Sequence, residues 1–267
     1  MDERERREVK AQPEKIKEEK NPAAPDFFVF HAGTSVKKPS GPNPVRLVST
    51  QDKYFRTIVV KAGKPKFVAK VKDLKPRAGK SRKAVFIDTL VPIIEDIHKD
   101  IKLTRTRVEK IAKKGSRSKS DEIFLKELFL LYKVEGNSIA KLLDKLVIVP
   151  TSLVLAQASL ESGWGTSQIA VGANNLFGMK SFSRDGRGYK MGKSYYKRYD
   201  SIKDSVEDYM LTLARHRAYG SLRNAIIKGE NSTELVRHLN NYSELKAEYG
   251  RKVGQVIRAN NLYSYDA

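Results

Sequence analysis

A nearly uncharged stretch, in which an apolar segment is followed by closely spaced glycines, constrains the fold of this chain more than any other. It spans Leu153 to Lys180 and reads LVLAQASLESGWGTSQIAVGANNLFGMK. Apolar residues recur in its first part at helical spacing, which predicts a helix with one face in a core: Leu153, Ala156 and Leu160. Gly163 is placed to end that helix, because glycine readily adopts the left-handed conformation that closes many helices.

Glu161 is the one carboxylate in this stretch, and it lies in the last turn before Gly163. Its neighbours on the helix surface are mostly small or apolar, so the carboxyl is expected to be half desolvated. Desolvation and the partial negative charge at the end of a helix both favour a protonated carboxyl. A carboxyl that stays protonated near neutral pH suits a general acid. The alternative is a solvated surface glutamate, which is what most charged residues are.

Two short motifs follow each other here, ESGWG at residues 161–165 and NNLFG at residues 174–178. With this spacing after a helix, the stretch resembles the glucosaminidase family that cleaves bacterial cell-wall glycan, glycoside hydrolase family 73. The similarity extends over roughly residues 84–267 and includes the segments DSVEDY at residues 204–209 and RAY at residues 217–219. The resemblance implies an α+β fold that is predominantly helical and lysozyme-like, with a small β-hairpin lobe.

The resemblance also implies that Glu161 is the general acid, one of the two carboxyl groups that most glycosidases need. Some relatives place the second carboxylate on the hairpin lobe. Between Lys180 and Arg198 the single acidic residue is Asp185, which is therefore the candidate, with an Asp-Gly turn as the competing structural explanation. Asp200, at the base of the lobe, is interpreted as structural. A substrate-assisted route, with the 2-acetamido oxygen as nucleophile, is the other possibility.

Tyr219 matches a tyrosine that the family places near the catalytic acid, where a phenol can donate a hydrogen bond or position water. The alternative is a half-buried tyrosine at a helix start, and His216 nearby is interpreted as a helix-end histidine. Aromatic and amide side chains are candidates for sugar contacts: Trp164, Asn175, Phe177, Tyr189 and Tyr195. Packing explains the aromatic residues as well, and loop capping explains Asn175 and its neighbour Asn174.

Helical periodicity and turn signals place the other elements. A long helix is predicted over residues 84–113, with Pro92 kinking it or marking its true start. Thr151 is the predicted cap of the helix that carries the glutamate, and residues 201–204 form a predicted capping box. A two-stranded lobe is predicted over residues 182–199. Further helices are expected over residues 123–134, 138–146, 166–171, 222–228, 233–240 and 247–260.

Composition divides the chain into three parts. Residues 1–44 are charged and then rich in proline and glycine, so they are expected to form a disordered leader or linker. Residues 45–83 form a basic arm with a possible weak hairpin, and residues 84–267 form the glucosaminidase domain. Residues 34–83 contain 15 lysines and arginines against two acidic residues. This segment is therefore expected to hold an anionic surface of the cell envelope.

Three functions fit these observations. The first, implied by the resemblance, is hydrolysis of β-1,4 bonds after N-acetylglucosamine in peptidoglycan, an endo-β-N-acetylglucosaminidase activity. The second is a lytic transglycosylase, which also depends on one glutamate but leaves an anhydro-sugar. The third, suggested by the net charge of +21, is a protein that binds nucleic acid or another anionic polymer. It ranks last, and no nucleic-acid partner is expected, because the chain has no nucleic-acid-reading motif and its basic arm lies outside the domain that carries the motifs.

The predicted partners follow from the first function. Peptidoglycan glycan strands are the expected substrate, and the protein is expected to act as a monomer. Cysteine is absent and the four histidines are scattered without ligand spacing, so neither a metal nor a cofactor is predicted.

The expected location also follows from the substrate. Peptidoglycan lies outside the cytoplasmic membrane, so the enzyme is expected in the periplasm or cell envelope. The start of the chain is charged rather than apolar, and no export signal is visible there. The expectation is therefore that the printed sequence begins after its signal or was assigned a late start.

Overall fold

The computed structural model describes residues 69–76, 78–181 and 188–266. Helices dominate this part of the chain: α1 Arg82–Ala112, α2 Lys119–Leu131, α3 Ile139–Leu143, α4 Thr151–Ser162, α5 Gln168–Ala173, α6 Ile202–Arg215, α7 Gly220–Ile227, α8 Ser232–Leu235 and α9 Ala247–Ala259. One antiparallel hairpin lies between α5 and α6, with strands β1 Tyr189–Met191 and β2 Ser194–Tyr196. The predicted α+β class, mostly helical with a small β-hairpin, is confirmed.

Short 3₁₀ helices connect several of these elements: Val71–Asp73, Glu135–Asn137, Arg217–Tyr219, Val236–His238 and Leu262–Tyr265. In the hairpin, Tyr189 pairs with Tyr196 and Met191 with Ser194, which leaves Gly192 at the turn with a φ of 58°. Judged by length and hydropathy together, no described helix qualifies as a membrane-spanning segment.

Helix α4 lies in the core of the described structure. Every side chain from Thr151 to Ser159 is buried, and the helix packs against α1, α9 and the 3₁₀ helix at Leu262–Tyr265. Because neighbours surround it on several sides, its polar side chains need partners from within the protein.

The cap of α4 differs from the prediction. Pro150 occupies the N-cap position and Thr151 is already helical, so the assignment of Thr151 as the cap is wrong. Proline cannot supply a capping side chain. The acceptor comes instead from Asp266, which lies 114 positions after Ser152. The carboxylate of Asp266 accepts hydrogen bonds from Ser152 N at 2.8 Å and Ser152 Oγ at 2.5 Å. A negative group here also complements the positive end of the helix dipole.

The end of α4 follows the prediction. Gly163 caps the helix in the left-handed conformation, and Trp164 and Gly165 continue it with φ values of 58° and 77°. A tryptophan rarely adopts this conformation, because its Cβ crowds the backbone there. Ser162 stabilises this left-handed segment, since its hydroxyl donates to Ala158 O at 2.6 Å and accepts from Gly165 N at 2.8 Å.

The starts of two other helices differ from the predictions. Helix α1 runs for 31 residues through Pro92, so Pro92 does not mark its start. Helix α2 begins at Lys119, because Ser118 and Asp121 form a capping box that the apolar pattern did not reveal. The predicted capping box before α6 is present, with Ser201 and Asp204 as its two members.

Residues 69–76, the end of the predicted basic arm, pack against the helical domain. Val71 and Leu74 are buried in the main hydrophobic core. Val71 N donates to Asn174 Oδ1 at 3.0 Å, and Ile202 N donates to Ala69 O at 2.9 Å. We therefore place the start of the domain at or before Ala69. The predicted leader at residues 1–44 and the predicted hairpin region before residue 69 lie outside the described residues.

Substituting Leu74 with alanine is expected to lower the free energy of unfolding by about 2–5 kcal/mol, because it removes a buried side chain from the core. The matched control is Lys72→Ala, an exposed position two residues away, with an expected effect within about 0.5 kcal/mol. Urea unfolding measures both. Equal effects of the two substitutions would show that this segment does not belong to the domain.

Candidate active site

Glu161 lies in the last turn of α4 with its side chain half buried. Its carboxyl faces the NNLFG loop, since a Cβ built at Gly178 would lie 3.9 Å from Glu161 Oε2. Burial raises the pKa of Glu161 above its ordinary value, and a hydrogen bond from Tyr249 offsets part of that increase. The position and the partial desolvation predicted for this carboxyl are therefore both present.

Tyr249 comes from α9 and supplies the polar partner of the glutamate. Its hydroxyl accepts a hydrogen bond of 3.0 Å from Gln157 Nε2, and its side-chain hydrogen bond with Glu161 lowers the pKa of the carboxyl and raises the pKa of the phenol. Gln157 Oε1 in turn accepts from the hydroxyl of Tyr209 at 2.5 Å. Three helices, α4, α6 and α9, thus meet in a chain of hydrogen bonds that ends at the carboxylate.

Stacked rings enclose this chain of hydrogen bonds in an aromatic cluster: Phe177, Tyr209, Tyr219, Tyr242 and Tyr249. Phe177 stacks on Tyr209 with ring centres 3.9 Å apart, and Tyr242 stacks on Tyr249 with centres 5.1 Å apart. Burial raises the pKa of all four tyrosines, so each remains a neutral hydroxyl at neutral pH. The charge of Glu161 adds to this effect for Tyr209, Tyr242 and Tyr249, which places these three near the carboxyl.

The structure gives Asn175 a role inside the NNLFG loop rather than in contact with a sugar. The residue is 1% exposed, and its amide nitrogen donates to Met179 O and Lys197 O at 2.9 Å each. Its amide oxygen accepts from Met179 N, also at 2.9 Å. These bonds occupy both amide hydrogens and tie the loop to the base of the hairpin. Asn174 takes the left-handed cap of α5, as the loop interpretation predicts.

Two predicted sugar-stacking residues pack against the protein. The ring of Trp164 meets the ring of Phe86 edge-on at 5.5 Å, and Lys83 Nζ lies 4.9 Å from the centre of the Trp164 ring. Phe177 is 3% exposed, so its stack with Tyr209 leaves it no open face for a sugar. Packing thus explains the position of Phe177, while Trp164 is half-buried and keeps some exposed surface.

Tyr189 and Tyr195, the two hairpin tyrosines predicted to contact a sugar, remain half exposed. Tyr189 lies against Gly172, because a Cβ built at Gly172 would come within 2.5 Å of the tyrosine ring. Tyr195 pairs with Lys190 across the hairpin. Both keep surface that a substrate could contact. The predicted second carboxylate, Asp185, lies outside the described residues.

Tyr219 is in the aromatic cluster, but the tyrosine bonded to Glu161 is Tyr249. Tyr219 is 1% exposed and lies beside Tyr242, with ring centres 6.3 Å apart. His216 Nδ1 accepts a hydrogen bond from Ala218 N at 3.2 Å, which fits its interpretation as a helix-end residue. Tyr219, the residue that matches the family motif, therefore lies in the same aromatic cluster as Tyr249.

Sequence reasoning missed Tyr249, Gln157 and Tyr209 as site residues. One signal was available, because Gln157 precedes Glu161 by four positions and so shares its face of the helix. A polar amide on a buried face needs hydrogen-bond partners. The sequence around Gln157 does not identify those partners, since they come from α6 and α9. Among the described residues, no group of three or more histidine, cysteine, aspartate or glutamate side chains is arranged to hold a metal ion.

Comparison with known proteins identifies the family of this chain. The family model for mannosyl-glycoprotein endo-beta-N-acetylglucosaminidase, the glucosaminidase family, matches residues 137–262. Protein bax of Escherichia coli K12 is 31% identical over 184 residues, which are 64% of this chain and 67% of that protein. The chain belongs to the glucosaminidase family.

Two further relatives have names that state an activity. The peptidoglycan hydrolase FlgJ of Pseudomonas aeruginosa is 31% identical over 133 residues, covering 43% of this chain and 32% of that protein. The exo-glucosaminidase LytG of Bacillus subtilis is 25% identical over 138 residues, covering 47% of this chain and 49% of that protein. The chain thus spans about a third of FlgJ and about half of LytG.

Replacing Glu161 with glutamine is expected to raise Tm at neutral pH. The folded-state pKa of Glu161 lies above its ordinary value of 4.5, so the folded protein loses stability as pH rises through that raised pKa and the buried carboxyl ionises. Glutamine cannot ionise, so the stability advantage of the variant should disappear below about pH 4.5. Calorimetry across pH measures this, with the exposed Glu244→Gln as the control. A Tm difference that does not change with pH would contradict the raised pKa.

Proposed function

We propose that this protein hydrolyses β-1,4 glycosidic bonds after N-acetylglucosamine in the glycan strands of peptidoglycan. The observation that carries the proposal is the half-buried Glu161 carboxyl, whose pKa is raised and which Tyr249 holds by a hydrogen bond. Family membership and the names of FlgJ and LytG support the choice of polymer and of bond.

Glu161 has the properties that a general acid needs. Its raised pKa keeps a proton available, and that proton passes to the glycosidic oxygen as the bond to the anomeric carbon breaks. The carboxylate left behind is the state to which Tyr249 donates its hydrogen bond. Stabilising the ionised product of proton transfer lowers the barrier, because the charge develops in the transition state.

The group that attacks the anomeric carbon is the open part of this mechanism. Among the described residues, no second carboxylate contributes to the pKa of Glu161. Either Asp185, the candidate that the sequence offers, or the 2-acetamido oxygen of the substrate supplies the second function. Asp185→Asn separates the two, since a substrate-assisted reaction would keep its rate in that variant.

A lytic transglycosylase is the alternative reaction at the same site. It uses the same glutamate, but the 6-hydroxyl of the sugar displaces the leaving group in place of water, and the product is an anhydro-sugar. Mass spectrometry of the released fragments distinguishes the two, because the transglycosylase product is lighter by one water. Hydrolysis is preferred because FlgJ is named a hydrolase and LytG a glucosaminidase.

Replacing Glu161 with glutamine is expected to reduce cleavage of purified peptidoglycan by at least about a hundredfold, since the amide keeps the shape but cannot give up a proton. The control, Glu244→Gln, changes an exposed carboxyl outside the site and should retain full activity. Release of soluble fragments, read by mass spectrometry, measures both variants. Retention of wild-type activity after the Glu161 substitution would rule out this residue as the acid.

Tyr249→Phe is expected to lower kcat by roughly 10- to 100-fold, which is the effect of losing one hydrogen bond to a charged group. Tyr219→Phe is expected to lower it less, by under about threefold, because the tyrosine bonded to the glutamate is Tyr249. Both changes preserve the ring and its packing. The reverse order of effects would restore Tyr219 as the catalytic phenol.

The proposed substrate determines the proposed location. Peptidoglycan lies outside the cytoplasmic membrane, so we place the enzyme in the cell envelope. The basic residues between 34 and 68 are proposed to retain it there by binding an anionic envelope polymer, since their charge is strongly one-sided. Fractionation of cells that express the protein tests this, and recovery in the cytosol alone would contradict it.

A further inference from the structure

Gln157 is a buried amide with an unusual pair of neighbours. It is 0% exposed and precedes Glu161 by one helical turn on α4. Its nitrogen donates to the hydroxyl of Tyr249 at 3.0 Å, and its oxygen accepts from the hydroxyl of Tyr209 at 2.5 Å. A buried amide could be satisfied by backbone groups alone, so two phenol partners from two other helices point to a role besides packing.

These hydrogen bonds have a direction. A phenol hydroxyl has a single hydrogen to donate. Because the oxygen of Tyr249 accepts from Gln157, its own hydrogen is free to point at Glu161. Tyr209 donates to Gln157 and thereby fixes which end of the amide faces which tyrosine. Each donor in this series of hydrogen bonds, from Tyr209 through Gln157 to Tyr249, therefore points towards the carboxyl of Glu161.

The opposite direction would have a different chemical result. If the amide were turned over, its oxygen would face Tyr249 and accept the hydrogen of that tyrosine. The Tyr249 oxygen would then accept the acidic proton of Glu161, which would be held inside the protein. In addition, Tyr209 would lose Gln157 Oε1, the acceptor that its hydroxyl has among the described residues.

We infer that Gln157 is a positioning residue for the proposed reaction: it holds Tyr249 as a donor to one oxygen of Glu161, so that the acidic proton occupies the other oxygen and is available to the leaving group. This inference rests on the proposed function, because it concerns the proton that Glu161 transfers. Tyr209 sets the orientation of the amide from α6, and its stack with Phe177 holds it in place.

The arrangement makes a specific kinetic prediction for Gln157→Met, which keeps the volume and removes both hydrogen bonds. Tyr249 can then accept the acidic proton, so fewer molecules present it to the substrate and kcat falls by roughly tenfold. The protonated form of Glu161 gains Tyr249 as an acceptor, whereas the ionised form keeps only the donor that it already had, so the alkaline limb of the pH–rate profile moves to higher pH.

Two comparisons separate this role from a general loss of structure. The matched control is Ser159→Ala on the same helix, which removes another buried side-chain hydrogen bond, the one to Ala156 O at 2.9 Å. It should leave the pH–rate profile unchanged. In a Tyr249→Phe background, Gln157→Met should cause no further movement of the alkaline limb, because the group that it positions is gone.

A titration of the Glu161 carboxyl by carbon NMR gives a readout that does not need activity. The expected result is a higher midpoint in Gln157→Met than in the wild type, and an unchanged midpoint would overturn the inference even in an active enzyme. If the wild type fails to cleave peptidoglycan, the proposed function fails, while the titration still tests the direction of the hydrogen bonds.

If Gln157→Met does not fold, Tyr209→Phe takes its place, because it removes the donor to the amide and preserves the ring stack. A smaller movement of the alkaline limb in the same direction is expected. An unchanged profile in that variant, or an equal movement in Ser159→Ala, would overturn the inference.

Discussion

Burial of α4 is the constraint on which the rest of the site depends. All of its side chains from Thr151 to Ser159 are buried, so each polar group on it must find a partner inside the protein. A buried polar group left without one costs about 1–3 kcal/mol. The partners come from distant segments, with Asp266 at the start of the helix and Tyr209 and Tyr249 in its middle. Satisfying the helix therefore brings together the parts of the chain that form the site.

The same burial sets the chemistry of Glu161. Desolvation raises its pKa, and the hydrogen bond from Tyr249 opposes that effect, so the balance of the two determines when the carboxyl holds its proton. A fully solvated glutamate would be ionised near neutral pH. The acid that the proposed reaction needs is thus a carboxyl at the edge of the core, where neither water nor a full set of partners stabilises its charge.

The sequence predicted the parts of the site that depend on near neighbours. Gly163 ends the helix and Glu161 lies half buried in its last turn, as the local pattern indicated. The NNLFG motif was found correctly, but its side chains turn inward. Asn175 ties the loop to the hairpin and Phe177 stacks on Tyr209, so neither is open to a sugar. A motif shows that certain residues belong near a site, and it does not show which way they point.

What the sequence by itself determined was the family, the helix that carries Glu161 and the presence of a small hairpin. The helix and the hairpin follow from interactions within a few positions along the chain, such as the spacing of apolar residues and the conformation of glycine, and the family follows from the resemblance of the motifs. Only the tertiary structure decided that Tyr249 meets Glu161, that Asp266 caps α4 and that residues 69–76 belong to the domain. Gln157 and Tyr249 are 92 positions apart, and contacts at that separation depend on how all the helices pack together rather than on the residues on either side.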